Sequence, residues 1–312
     1  MLCWLQFKNA SGVLAADEDG ETERKKQMKL ATVFYNHKEC VGIVKGEEIF
    51  LLPREISMEE LIRKGTIEDA IRTGAACGCR EDAVPLKEVS VLAPIPRPSQ
   101  DVICLGMNFA DHTDEAAKFH PTMVRENYAV YFSKRVNLAV PDGGMVDSHP
   151  DVTSQVDYEA EIAVIIGKDA YQVKKENARD YIFGYTILND ISAREVQTRH
   201  KQFYLGKSLD NFTPIGPWIV TADEFSYPPK IGIRSCVNGE LRQDGNTDDW
   251  IFGIGEVIED LSAGMTLQAG TIISMGTPAG VGMGFTPPKY LKKGDVVVCE
   301  ADGIGTLTNT VG

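Results

Sequence analysis

The sequence predicts an α+β protein in which a small α+β region precedes a large, mostly β domain. Beyond residue 100, short apolar runs dominate, and Gly, Pro, Asn and Asp residues separate them as turns separate strands. Few helical stretches interrupt these runs, so the regular strand–helix alternation of a doubly wound fold is missing. With 312 residues, the chain is long enough to bury a substantial core.

The region before residue 92 is predicted in two parts. Residues 1–27 are expected to be an N-terminal extension, and the folded pattern begins at Met28. Residues 28–91 are predicted as the small domain, because three β-type runs accompany two short helical segments that open with a capping residue and close at a glycine. These elements are, in chain order, residues 30–35, 40–44, 48–52, 57–65 and 66–74.

A proline-rich segment separates this region from the large domain. Residues 92–100, "LAPIPRPSQ", resist regular structure and are predicted as a linker, and residues 101–312 follow as the large domain. Its predicted strands are residues 102–106, 128–134, 161–168, 183–190, 214–221, 232–240, 271–277 and 295–300. Its predicted helices lie near residues 112–119, 174–181, 192–203 and 254–261.

Composition and charge exclude several classes of partner. The formal net charge of −13 disfavours nucleic acid and anionic membranes, because an acidic surface repels phosphates. No apolar run is long enough to cross a membrane, and the seven cysteines, odd in number and mostly scattered, favour a reducing compartment. We therefore predict a cytoplasmic protein. The acidic N-terminus shows no clear transit peptide, although a mitochondrial matrix location stays open for a eukaryotic source.

The stretch "DYEAEIAVIIG" (residues 157–167) places two glutamates at the mouth of an apolar strand. Because strand side chains alternate between faces, Glu159 and Glu161 should point the same way. Two like charges on a partly buried face repel each other and lose hydration, so a cation is expected beside them. Taken alone, such a pair is also typical of the solvated face of an edge strand.

A third carboxylate follows the run "FGYTILND". Asp190 lies where this strand is expected to end, and Ser192 and Glu195 stand at the spacing of a capping box that would start the next helix. If the two strands are neighbours, Glu159, Glu161 and Asp190 converge. An all-carboxylate set suits a hard divalent ion, so we predict Mg²⁺ or Mn²⁺ with positions left for water and substrate.

Two further groups are predicted to be catalytic. His112 and Glu115 share a helix face at spacing i, i+3, so the carboxylate can orient the imidazole as a base that draws a proton from water. Lys207, in "LGKSLD", is the candidate cation that neutralises a carboxylate and holds a developing oxyanion. The alternatives are a surface histidine on a polar helix and a solvated loop lysine.

The remaining candidates are substrate-binding residues. Arg194 and Gln197 share a helix face and can reach a substrate carboxylate, although Arg194 could equally form a structural ion pair. Lys134, at a strand end, is a weaker candidate, since such a lysine usually faces solvent. The glycine-rich segment, residues 276–284, lacks the Lys-Ser/Thr ending of a phosphate-binding loop, so nucleotide binding is disfavoured.

The motifs "CLGMNFADHTDE", "DYEAEIAVIIG", "GYTILNDISAREVQ", "LGKSLDNFTPIGP" and "GTPAGVG" occur in the order and approximate spacing of the fumarylacetoacetate hydrolase family, which the chain resembles from Val102 to Gly312. The resemblance implies a mixed β-sandwich or roll and a homodimer built on the large domain. It also implies Mg²⁺ or Mn²⁺ on the residues matching Glu159, Glu161 and Asp190, and a threonine, Thr277, that helps to bind a carboxylate.

The chemistry expected of such a site starts from a small 2-oxo acid bound to the metal, which stabilises an enolate formed at C3. Our hypothesis is cleavage of the C3–C4 bond, by oxaloacetate decarboxylation or by acylpyruvate or fumarylpyruvate hydrolysis. Keto–enol tautomerisation, 2-hydroxyhepta-2,4-diene-1,7-dioate isomerisation and dehydration of 2-keto-3-deoxy sugar acids stay open. A non-enzymatic partner-binding role is disfavoured, because every candidate ligand and catalytic residue is present.

Overall fold

The computed structural model describes residues 28–52, 56–64, 83–117 and 127–312. The predicted N-terminal extension and the predicted helix at residues 66–74 lie outside these ranges. The described strands are β1 (Lys29–Tyr35), β2 (Lys38–Lys45), β3 (Glu48–Leu51), β4 (Ala83–Pro85), β5 (Ser90–Val91), β6 (Val102–Gly106), β7 (Val130–Lys134), β8 (Met145–Val146), β9 (Val156–Asp157), β10 (Ala160–Ile166), β11 (Ile182–Asn189), β12 (Ser192–Ala193), β13 (Ile215–Thr221), β14 (Gly232–Val237), β15 (Glu240–Asn246), β16 (Ile272–Ser274), β17 (Val296–Ala301) and β18 (Gly305–Val311).

Helices are short and few beside these strands. Five described helices are α1 (Met58–Arg63), α2 (Ala110–Ala117), α3 (Arg194–Arg199), α4 (Tyr204–Lys207) and α5 (Ile254–Ser262). The described 3₁₀ turns are Leu86–Glu88, Lys175–Tyr181, Ala222–Glu224, Thr247–Asp249 and Gly282–Gly284. The predicted α+β, mostly β fold class is confirmed. Residues 174–181 were expected as an α-helix, but they form the tighter 3₁₀ turn.

The largest described sheet is mixed and has the strand order β4-β3-β2-β1-β13-β11-β10-β16-β6-β7, and β5 also pairs with β1. Strand β1 pairs antiparallel with β13, so strands β1 to β5 extend the sheet of the following region. The predicted division into two domains and the linker at 92–100 stay predictions. Strands β10 and β11 are buried along their whole lengths, which makes them a rigid support for groups at their ends.

A second sheet, in the order β15-β14-β17-β18-β8, packs against one face of the first. Alternate residues of β10 show the arrangement: Ile162 and Val164 share a core with Ile233 and Leu307 of the second sheet. On the opposite face, Ile165 shares a core with residues of α1. The two layers agree with the mixed β-sandwich that the family resemblance implies. Within the described ranges, no helix is both long enough and apolar enough to span a membrane.

Candidate active site

Three carboxylates meet where β10 begins and β11 ends. Glu159 directly precedes β10, Glu161 is its second residue, and Asp190 directly follows β11. The antiparallel register sets Ala160 opposite Asn189, which brings these two strand ends together. One ligand atom from each carboxylate lies within 4.8 Å of the others, and all three residues are buried. The predicted convergence of Glu159, Glu161 and Asp190 is therefore present.

Glu159 is held by two cations. Lys207 Nζ lies 2.7 Å from Glu159 Oε2, and Arg194 Nη1 lies 2.6 Å from Oε1. Burial opposes ionisation of this carboxyl, but Lys207 and Arg194 outweigh it and hold the pKa of Glu159 well below its usual range. Glu159 is thus an anion before any metal binds.

Glu161 has the opposite environment. Its Oε2 accepts hydrogen bonds from the Ser274 hydroxyl at 2.6 Å and the Gly276 amide at 2.9 Å, both neutral donors. Burial, together with the charges of Asp190 and Glu159, raises the pKa of Glu161 well above its usual range. This carboxyl therefore lacks the positive charge that a buried carboxylate needs.

Asp190 joins two buried lysines. Lys207 Nζ lies 2.7 Å from Asp190 Oδ2, and Lys134 Nζ donates a short hydrogen bond to Oδ1. Lys134 also donates to the carbonyls of Ile191 and Phe212, both at 3.0 Å. Burial works against the charge on Lys207, but Asp190 and Glu159 outweigh it and raise the pKa of this lysine. The prediction of a buried cation at Lys207 is thus matched by its position.

The donor set fits a hard divalent cation. Oxygen ligands alone, close together on rigid strand ends, are what Mg²⁺ and Mn²⁺ prefer. A divalent ion would also supply the positively charged partner that the neutral donors of Glu161 do not provide. The three carboxylates therefore have both the chemistry and the spacing to hold such an ion, while the choice between Mg²⁺ and Mn²⁺ stays a prediction.

The predicted His–Glu pair forms on α2. His112 Nδ1 lies 3.2 Å from Glu115 Oε2. An ionised carboxylate can only accept, so the neutral imidazole carries its proton on Nδ1 and keeps a lone pair on Nε2. The Gly280 amide donates to both oxygens of Glu115, at 3.1 and 3.2 Å. His112 lines the same cavity as Glu159 and Glu161, so its imidazole and these two carboxylates border one space.

Arg194 takes part in ion pairs and also keeps a free donor. Its Nε donates to Asp157 Oδ2 at 2.8 Å, and its Nη1 donates to Gln197 Oε1 at 3.1 Å. Its Nη2 is buried and has no hydrogen-bond partner among the residues that the structure describes. Arg194 and Gln197 both line the cavity. Both open readings of Arg194 therefore apply: it forms a structural ion pair and can still bind a substrate carboxylate.

Thr277 and Lys134 differ in how they relate to the cavity. Thr277 lines it, and its hydroxyl donates to the Ala160 carbonyl at 2.9 Å while it accepts from Gln243 Nε2 at 2.7 Å. Lys134 is fully buried behind Asp190 and is not among the cavity-lining residues. The expectation of a solvent-facing Lys134 is wrong, and its substrate-binding role stays a prediction that this position does not favour.

The start of α3 corrects another expectation. Ser192 belongs to β12, which pairs with β9, and the helix begins only at Arg194. The Ser192 hydroxyl donates to the Asp190 carbonyl, and the Glu195 carboxylate accepts from the Ser154 amide. The predicted capping box between Ser192 and Glu195 therefore does not form. Pairing with a distant strand competes with the local cap, and spacing alone cannot reveal that partner.

Two supporting residues escaped the sequence argument. Asp157 accepts from the amides of Gly282 and Met283, at 2.6 and 2.9 Å, as well as from Arg194. Gln243 accepts from the Ala160 amide, at 3.0 Å between the two glutamate positions. Asp157 stands within the quoted motif and could have been suspected. Gln243 lies on β15, a strand that the apolar pattern did not predict.

The fumarylacetoacetate (FAA) hydrolase C-terminal family model matches residues 101–312. The chain belongs to this family. An oxaloacetate tautomerase, YisK, from Bacillus subtilis (strain 168) is 49% identical over 227 residues, which cover 73% of this chain and 74% of that protein. The family resemblance that the sequence motifs predicted is therefore confirmed. The chain is an enzyme, because this family and the relative named above are enzymes.

Solved structures also resemble the chain over most of its length. A fumarylacetoacetate hydrolase from psychrophilic Exiguobacterium antarcticum superposes with a TM-score of 0.78 at 36% identity, covering 91% of this chain and 99% of that one. A 2-hydroxyhepta-2,4-diene-1,7-dioate isomerase from Mycobacterium marinum gives 0.68 at 29% identity, covering 91% and 98%. The relatives thus include a tautomerase, a hydrolase and an isomerase.

Proposed function

We propose that this enzyme catalyses the divalent-metal-dependent keto–enol tautomerisation of oxaloacetate or a closely related short 2-oxo acid. The observation that carries the proposal is that one cavity is lined by Glu159 and Glu161, by Lys207, and by His112, whose ring nitrogen Nδ1 contacts Glu115. The relative named oxaloacetate tautomerase supports this choice of reaction. Tautomerisation thereby takes precedence over the C–C cleavage that we expected from the sequence.

Glu159, Glu161 and Asp190 would hold the cation, Mg²⁺ or Mn²⁺. When bound, such an ion supplies Lewis-acid polarisation of a 2-oxo carboxylate. Arg194 holds the far carboxylate through its Nη2, which no described residue binds, and Gln197 lines the same cavity. These contacts fix which carbon of the substrate faces His112.

His112 moves the proton. Its Nε2 lone pair removes a proton from C3 of the keto form, and Glu115 stabilises the imidazolium that results. Lys207 uses two hydrogen bonds on Glu159 and Asp190, which leaves one N–H for the oxygen at C2, where negative charge develops. A proton from solvent at that oxygen completes the enol. The reverse reaction returns the C3 proton through His112.

The experiment is an enol-to-keto conversion assay with oxaloacetate. The ultraviolet absorbance of the enol should decay faster with enzyme and Mg²⁺ or Mn²⁺, and a chelator should abolish the acceleration. The proposal is contradicted if the chelator leaves the enzyme-catalysed decay rate unchanged, or if neither metal gives any acceleration. Pyruvate release, measured in the same samples, reports C3–C4 cleavage separately.

C3–C4 cleavage is the second candidate. It is favoured by the likeness to the fumarylacetoacetate hydrolase from Exiguobacterium antarcticum, and by the His112–Glu115 pair, which can also activate a water molecule. Release of pyruvate from oxaloacetate or an acylpyruvate at a rate above tautomerisation would put this reaction first. The homodimer and the cytoplasmic location stay predictions, which gel filtration with light scattering and cell fractionation can check.

A further inference from the structure

The Glu115 carboxylate occupies a space that a side chain would otherwise fill. A Cβ atom placed on Gly284 would lie 1.9 Å from Glu115 Oε1 and 2.2 Å from its Cδ. Contacts this short do not occur between real atoms, so Glu115 reaches its present position only because residue 284 has no side chain. The Gly280 amide, four residues earlier, holds both oxygens of the same carboxylate.

The Gly280 amide is fixed independently of α2. Its carbonyl accepts from the Tyr158 hydroxyl at 2.9 Å, and its φ of +103° is a conformation that favours glycine. A Cβ atom there would lie 1.9 Å from the Arg242 carbonyl oxygen. Contacts with Tyr158 and with the Arg242 backbone therefore hold residue 280 in place, and Glu115 binds to a donor that other parts of the chain position.

We propose that Gly284 is a positioning residue for proton transfer. By leaving room for the Glu115 carboxylate, it allows Glu115 to bind the Gly280 amide and His112 Nδ1 at once. Glu115 then keeps the His112 proton on Nδ1 and the lone pair on Nε2. The effect on catalysis rests on the proposed function, whereas the effect on His112 follows from the geometry alone.

Gly284→Ala tests this without threatening the fold. The φ of residue 284 is outside the left-handed region, so alanine fits the backbone there. The three nearest atoms that the new methyl group would meet all belong to the end of Glu115, a flexible side chain that can rotate away. The variant should fold, bind metal, and have a displaced Glu115. Gly264→Ala is the matched control, because a Cβ there meets no atom within 4 Å.

We expect Gly284→Ala to lower kcat at least tenfold, while KM and the Mg²⁺ dissociation constant stay within twofold. Gly264→Ala should match the wild type. In a Glu115→Ala background, Gly284→Ala should cause no further loss, because the displaced group is already absent. Equal losses in both backgrounds, or no loss in the wild-type background, would overturn the proposal.

A second readout needs no substrate. Nitrogen-15 NMR of the neutral His112 ring should show a proton on Nδ1 in the wild type and a mixture shifted toward Nε2–H in Gly284→Ala. If the wild type has no activity on 2-oxo acids, the proposed function fails, and this spectrum still decides the role of Gly284. An unchanged tautomer in the variant contradicts it.

Discussion

The two sides of the cavity are built in different ways. The carboxylate side, defined by Glu159, Glu161 and Asp190, stands at the ends of β10 and β11, which are buried along their whole lengths. The base side, defined by His112 and Glu115, stands on the short helix α2 and is held by a few hydrogen bonds. In the proposed function, the rigid carboxylate side binds the cation, and the base side, which fewer contacts hold, moves the proton.

The largest effect is expected on the carboxylate side. Glu161→Gln removes the ligand charge, so metal binding should be lost in calorimetry and tautomerisation should fall by about 1000-fold or more. The amide can still accept from Ser274 and Gly276, and a neutral group avoids the buried charge, so the metal-free variant should unfold at no lower urea concentration. A variant that still binds Mg²⁺ with native affinity would remove Glu161 from the site.

Replacing the buried Lys134 should lower the free energy of unfolding, whereas replacing a surface lysine should not. Lys134→Met removes one of the two lysines that pair with Asp190 and leaves two buried carbonyls without a donor, which should cost about 1–3 kcal/mol of unfolding free energy. Urea denaturation of the metal-free protein measures this loss. The control is Lys174→Met, whose exposed pair with Glu259 should leave the unfolding midpoint unchanged. Equal midpoints for both variants would show that Lys134 does not support the carboxylate side.

On the base side, Glu115→Gln should change catalysis alone. The Gly280 amide would bind the new carbonyl oxygen and turn the NH₂ group toward His112, so Nδ1 would have to accept. This wrong tautomer should lower kcat by about 10²-fold. Steady-state kinetics and calorimetry would check it. A parallel loss of metal affinity would contradict the division between the two sides.

The pH dependence of metal binding sharpens the difference between the two glutamates. The pKa of Glu161 is raised by burial and by neighbouring carboxylates, so its proton must leave when the cation binds. Below that pKa, metal affinity should rise about tenfold per pH unit, and binding should release about one proton. Calorimetry in buffers of different ionisation enthalpy counts this proton. No proton release would contradict the raised pKa.

The sequence predicted the three carboxylates of the site better than it predicted Lys134, the buried lysine that supports Asp190. The apolar run of β10 marks a buried strand, and the three carboxylates stand at positions that period-two alternation and strand ends reveal. Lys134 was expected to face solvent because a strand end usually does, but Asp190 and two carbonyls supply partners that no local pattern contains.

The base side shows the same limit. Spacing i, i+3 predicts the His112–Glu115 pair, because both residues lie on one helix face. The segment that holds Glu115 is 165 residues further along the chain, at Gly280. Such contacts depend on how strands and loops are brought together in the fold. From the sequence, the glycines at 280 and 284 indicate only that the backbone is free to bend there, and they do not reveal that Glu115 is their partner.

The central claim is that the cation and the base have separate roles in one cavity, and His112→Ala tests it most directly. We predict that this variant binds Mg²⁺ with a dissociation constant within twofold of the wild type, while kcat for oxaloacetate tautomerisation falls by at least about 100-fold. Native kcat in the metal-loaded variant, or loss of metal affinity in step with activity, would contradict the account.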